Sequence, residues 1–293
     1  MRATTLITLA ALFAAHWLLT SCSEPVPAFQ KRLETLRIAV IPDDRLSLDL
    51  QDIRPLFNHL ADAVALPYRA IIPKSREDLR MLFANGEIDL AWFGALDYLR
   101  IKACCNANPI AMRDIDAQVT TLLLARADLN LDPEDPYRGR EIAFGPRDTT
   151  SGHLMARHFM EAENGIRPED RFRRTRYAES QKQALIWARD GVVEMATACS
   201  RVVRRMTNEG QLNSKQLKLL WETPPFPAHV WAARADLPDE IHRTLSRAFL
   251  ALSTLDPKHT PILNALKTEG FLPVESGAFQ PLQETARHQG LIP

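Results

Sequence analysis

Two stretches of this chain read alike. ANGEIDLAWFG (84–94) and RDGVVEMATAC (189–199) each carry a helix stop, a glycine, two residues, an acid and then a strand. The acids are Asp89 and Glu194, and five residues beyond them stand Gly94 and Cys199. Repeating that step implies two α/β halves built on one plan. Gly94 and Cys199 then occupy matching carboxyl ends of strands, which is where open α/β sheets hold their ligands.

The flanking sequence extends the plan. LRIAVIP (36–42) is an apolar run that predicts a buried strand. A helix follows from about Asp52, with Ile53, Leu56, Phe57, Leu60 and Val64 on one face. Ser75 is placed to cap the next helix, with Asp78 three residues on, and Gly86 suits its left-handed stop. In the second half EIAFG (141–145) predicts a strand, a helix begins near Ser151, 179–190 is helical and VVEMATA (192–198) is a strand. Strands alternating with helices predict a parallel or mixed sheet covered on both faces.

Two extended segments, QVTTLLLARADL (118–129) and FPAHVWAARADL (226–237), lead out of the first half and back into it. Helices over 238–252 and 261–267 return to the first half. The expected fold is α/β: two lobes joined by two crossover segments, with a cleft between them that can open and close. The boundaries are 36–120 with 232–293 for lobe 1, and 121–231 for lobe 2.

Composition narrows the function. Lys+Arg and Asp+Glu both number 36, so there is no basic excess of the kind nucleic-acid binding uses. Residues 1–21 hold Arg2 as their only charge, then a short apolar run, and read as an export signal. The run ends in Leu19-Thr20-Ser21-Cys22, which resembles a bacterial lipobox with Cys22 as the acylated residue. Residues 22–35 then serve as a tether, and the mature chain is an expected monomer on a membrane surface. Export also implies an oxidising compartment. The remaining cysteines are Cys104, Cys105 and Cys199, with no CxxC pair and hence no zinc framework.

The most informative motif is GPRDTTSGHLMARHFM (145–160). Thr149, Thr150, Ser151 and Gly152 follow a strand and open a helix, so hydroxyls stand beside the free amides of a helix start. Such a place favours a small oxyanion through dipole and hydrogen bonds. The same residues would also serve as an ordinary helix cap. Nucleotide-loop, serine-hydrolase and zincin motifs are absent, and Ser151 has no convincing base, so no catalytic residue is expected. His153 and His158 are badly spaced for a metal, and Trp92, Trp187, Trp221 and Trp231 suit packing.

Together, IDLAWFGALDYLR, FGPRDTTSGHLMARHF, the Gly191–Glu194 step and TPPFPAHVWAARADLP resemble the PhnD-like periplasmic proteins that bind phosphate, phosphite or phosphonate. The resemblance runs from about Leu36 to the C-terminus. It implies a type II periplasmic-binding fold, an oxyanion between the lobes, no cofactor and no catalysis. It places Thr149, Thr150 and Ser151 on the family's anion loop and Tyr98 on its tyrosine beyond Gly94. Arg76, Ser180 and Cys199 fall where the family has a tyrosine, a histidine and an aspartate.

Those departures turn attention to sulfur. Cys104 and Cys105 follow the helix that starts beside Gly94, and Cys199 ends a strand of the other lobe. A sulfur-bearing oxyanion cleft on this fold resembles the arsenite-binding AioX-like lipoproteins, which act upstream of a membrane histidine kinase. Thiols suit trivalent arsenic. The cysteines are equally open to a disulfide from Cys199 to Cys105 or Cys104, or to an inert buried thiol. The leading expectation is thus a lipid-anchored periplasmic arsenite sensor. The alternative is a phosphate, phosphite or phosphonate receptor that delivers its ligand to an ABC permease.

Overall fold

The computed structural model describes residues 33–41, 50–165 and 167–293. The export signal, Cys22 and most of the tether lie outside these residues. Among the described residues no helix is long and apolar enough to cross a membrane.

The first lobe opens with β1 (Leu36–Val40), α1 (Leu50–Val64), β2 (Tyr68–Ile71), α2 (Arg76–Ala84), β3 (Leu90–Gly94), α3 (Ala95–Cys105) and β4 (Ala107–Arg113). The α1 residues Ile53, Leu56, Phe57 and Leu60 are buried, as their helical spacing predicts. The Ser75 side chain accepts a hydrogen bond from Asp78 N–H and caps α2.

The chain then crosses over. The second lobe runs through β5 (Thr121–Arg126), β6 (Glu141–Phe144), α4 (Met155–Asn164), α5 (Pro168–Arg171), β7 (Arg174–Tyr177), α6 (Gln181–Arg189), β8 (Met195–Cys199), α7 (Ser200–Asn208) and β9 (Leu217–Glu222). A second crossover leads to β10 (His229–Arg234), α8 (Asp239–Leu250), α9 (Thr260–Leu266), β11 (Phe271–Leu272) and α10 (Gln280–His288).

Both sheets are mixed, and they share one order. The first reads β11-β4-β10-β3-β1-β2; the second, from its β9 edge, reads β9-β5-β8-β6-β7. Without the two-residue β11 they match strand for strand. The acids of the repeated motif explain the match. Arg37 N–H donates to Asp89 Oδ2 at 2.8 Å, and Glu141 N–H donates to Glu194 Oε2 at 2.8 Å. Each acid thus pins the start of its own helix-to-strand step to the neighbouring strand. Each step also meets an arginine. Arg234 backbone N–H donates to Asp89 O at 3.0 Å, and Arg126 backbone N–H donates to Glu194 O at 3.0 Å. The two ARAD segments are therefore equivalent central strands, each antiparallel to its neighbours.

The crossovers lie side by side. Val119 and Phe226 form an antiparallel bridge, with both N–H···O bonds at 2.9 Å. Three boundaries differ from the sequence expectation. His229–Trp231 belongs to β10 of the first sheet, because His229 pairs with Gly94. Strand β8 starts at Met195 rather than 192, because the Val192 and Val193 amides are used in closing the preceding helix on Trp187 O. The turn at Thr150–Leu154 is a π-helical turn, and α4 starts only at Met155.

Candidate functional site

The hydroxyl motif folds into a tight loop between β6 and α4. Thr149 Oγ1 donates to Pro146 O at 2.7 Å, and Leu154 N–H donates to Thr149 O at 3.1 Å. The loop closes on itself where Gly145 N–H donates to Gly152 O at 2.9 Å. A Cβ on Gly152 would stand 2.8 Å from Thr149 Oγ1 and 2.9 Å from Gln181 Cγ, so only glycine fits. The sheet behind the loop holds its carbonyls. Thr121 Oγ1 donates to Ser151 O at 2.8 Å, and Thr197 Oγ1 donates to Gly152 O at 3.0 Å. The backbone is anchored from behind, while the first amides of the turn stay without intrahelical partners, as at every helix start.

These residues meet the other lobe. Leu96 N–H, in the first turn of α3, donates to Thr150 Oγ1 at 3.0 Å. Arg76 opens α2 and reaches both sides: it donates to Asp97 Oδ2 at 3.1 Å and approaches Asp148 Oδ2 of the loop at 3.8 Å. Gln181 opens α6, the counterpart of α2, and its side chain lies 3.3 Å from Ser151 Oγ. Its Oε1 accepts Cys199 N–H at 2.6 Å. Thr149, Thr150, Ser151, Gln181, Arg76 and Gly94 share one small cavity, of about 10 Å³. That is the least space one water needs. The lobes meet here, and their own polar groups fill this part of the cleft.

The wall of the cavity is charged. Asp97 is almost fully buried and is served by Arg76, by Arg80 at 2.5 Å and by Arg100 at 3.7 Å. His229 also lines the cavity, and its Nδ1 lies 3.1 Å from Asp116 Oδ1. Asp116 sits in the first crossover, completely buried, and also takes Arg113 at 2.6 Å and Arg201 at 2.9 Å. Burial alone would raise the Asp116 pKa. Arg113, His229 and Arg201 outweigh it and hold the carboxyl far below the usual carboxylate range. From the first crossover this one carboxylate ties β4, β10 and α7 of the second lobe together.

Not every sequence candidate is in the cavity. Tyr98 is buried in the first lobe against Phe279, with ring centroids 4.8 Å apart, and burial pushes its hydroxyl pKa up to about 12. Its ring joins the core cluster that also holds Leu96 and Leu99, while the neighbouring Asp97 reaches the cavity wall. Ser180 caps α6, its Oγ accepting Gln183 N–H at 3.0 Å, and hands the site to Gln181.

The cysteines also fall differently. Cys104 and Cys105 are bonded to each other at the far end of α3, about 15 Å of helix from Gly94. Cys199 is a free, buried thiol behind Gln181. The expected bridge from Cys199 to Cys105 or Cys104 is therefore not formed, because a helix length separates them. Nor do two thiols meet at the cleft. Gln181, His229, Asp97 and Asp116 were missed in the sequence. The pairing of Ser75-Arg76 with Ser180-Gln181 was the one signal that could have found Gln181.

A model of the periplasmic substrate-binding proteins of phosphonate ABC transporters matches residues 38–278. The chain belongs to this family. Its members bind substrate and are not enzymes. This binding protein is 22% identical, over 70% of its length, to a probable phosphite-binding ABC transporter protein of Prochlorococcus marinus, and covers 73% of that relative. A structure of PhnD1 from Prochlorococcus marinus (MIT 9301) was solved in complex with methylphosphonate. It superposes with a TM-score of 0.73 at 20% identity, covering 88% of this chain and 99% of that one. A binding-protein component of an ABC phosphonate transporter from Pseudomonas aeruginosa gives a TM-score of 0.67 at 18% identity, covering 87% and 86%. At such identities these likenesses speak for the two-lobed fold alone.

Proposed function

We propose that this periplasmic protein binds a small phosphorus oxyanion, of the phosphonate or phosphite class, between its lobes and presents it to an ABC permease. One observation carries the reading. The hydroxyls of Thr149, Thr150 and Ser151, the Leu96 amide and the Arg76 guanidinium converge on one cavity from both lobes. The Thr150 and Ser151 hydroxyls and the Arg76 guanidinium are donors for a tetrahedral oxyanion, while Thr149 Oγ1 and the Leu96 amide hold the loop through Pro146 O and Thr150 Oγ1, and the starts of α3 and of the 150–154 turn add favourable dipoles. The family and the methylphosphonate bound by the Prochlorococcus protein agree with it.

Arsenite sensing loses its main support in the cysteine positions, since two of the three thiols are joined to each other at the far end of α3. The lipid anchor at Cys22 is part of the proposal and rests on the lipobox resemblance. The test is a calorimetric panel of methylphosphonate, phosphite, phosphate, arsenate and arsenite. Binding of a phosphorus oxyanion, unchanged by reductant, supports the reading. Arsenite binding that vanishes in Cys199→Ser, with no phosphorus oxyanion bound, overturns it.

A further inference from the structure

A second and much larger pocket, of about 570 Å³, lies between the lobes away from the hydroxyl loop. That volume is typical of sites for small organic ligands. Trp92 and Ile115 line it from the first lobe and its crossover, and Val202 from α7 of the second. Asp116 separates it from the oxyanion cavity: His229 faces the cavity, whereas Arg113 and Arg201 face the pocket, and all three pair with Asp116.

Its chemistry is unusual for a chain with equal numbers of acids and bases. Arg204 and Arg205 of α7 and Lys267 beyond α9 also line it, against the single acid Glu209. Among the described residues, neither Arg204 nor Lys267 enters an ion pair, and both are exposed. Trp92 is only 5% exposed, yet its indole N–H is buried without a hydrogen-bond partner. The Arg113 guanidinium lies 4.5 Å from the Trp92 ring centroid, so the floor is flat, aromatic and cationic.

We infer that this pocket is a second ligand site, for an organic anion with a flat apolar body, of the aryl-phosphate class. The flat body lies on the Arg113 guanidinium layer that covers Trp92, beside Ile115, and the anionic group meets Arg204 and Lys267. Because these two residues come from opposite lobes, a bound anion would bridge them and favour the closed cleft. The site shares no lining residue with the oxyanion cavity, so it stands whether or not that cavity takes a phosphonate.

The test uses 1-naphthyl phosphate as probe, titrated calorimetrically into the protein. Binding should weaken at least tenfold in the Arg204→Gln/Lys267→Gln double variant and stay within twofold in Ser151→Ala. Both replaced side chains are exposed, so the double variant keeps its core, and an unchanged melting temperature checks this. No heat of binding to the wild type, an affinity indifferent to the double variant, or loss in Ser151→Ala would each overturn the second site.

Discussion

Thr150 Oγ1 on the second lobe accepts the Leu96 amide of the first at 3.0 Å, and this bond crosses the cleft. By accepting there, the hydroxyl is left with its own hydrogen to donate, and a tetrahedral oxyanion is the acceptor the fold suggests.

Arg76 is the cation of the site that spans both lobes. Arg76→Gln should weaken methylphosphonate by about 1.5–3 kcal/mol, the range for a hydrogen bond to a charged group. Asp97 retains Arg80 and Arg100, so the fold should hold. Calorimetry and a thermal melt read the two effects separately. Unchanged affinity would take Arg76 out of the site.

Gly152→Ala should destabilise the protein by about 1–3 kcal/mol through overpacking against Thr149 and Gln181. Gly270→Ala is the control. Its nearest neighbour to a new Cβ is Leu252 O at 3.7 Å, so its stability should change little. Urea midpoints compare the two, and equal midpoints would contradict the loop geometry.

Asp116 predicts an acid limb in stability. Its folded pKa is depressed, so the unfolded chain, near 3.9, takes up the proton first. The stabilisation is complete above that value and is lost as pH falls below it. Asp116→Asn should flatten this limb and cost about 3–5 kcal/mol at neutral pH, because it leaves buried cations uncompensated. Urea melts from pH 3 to 7 check both statements.

His153 acts higher on the pH scale. Burial, then the nearby Arg157 charge, lowers its pKa from the usual 6.5 to about 4. The unfolded chain protonates first, so this contribution is full above pH 6.5 and drains toward pH 4, at no more than about 1.4 kcal/mol per pH unit. His153→Phe should lose that slope, and an identical pH profile would contradict the assignment.

Much of the architecture was legible because the constraint was local. Asp89 and Glu194 sit in the same short motif and do the same work, so the repeat exposed two lobes before any contact was known. Edge strands were harder. Strand β7 (RTRY) carries two arginines in four residues, which protects an edge but hides the apolar signal. At the site, Thr149–Gly152 could be read because an anion loop needs hydroxyls beside a helix start. His229, Asp97 and Asp116 could not, since their partners are remote in sequence: His229 meets Asp116 across 113 residues. The cysteines misled for a different reason. The sequence places Cys104 and Cys105 beyond the helix that starts beside Gly94, but the direction of α3, whose length carries them about 15 Å from Gly94, is set by tertiary packing.

The most direct test of the account is a calorimetric titration of methylphosphonate into the wild type and the Thr150→Ala/Ser151→Ala double variant. Binding to the wild type is expected, with a loss of about 2–4 kcal/mol, at least tenfold in affinity, in the double variant, which also loses the Leu96–Thr150 bond and should melt somewhat lower while staying folded at the titration temperature. Equal affinities in the two proteins would contradict it.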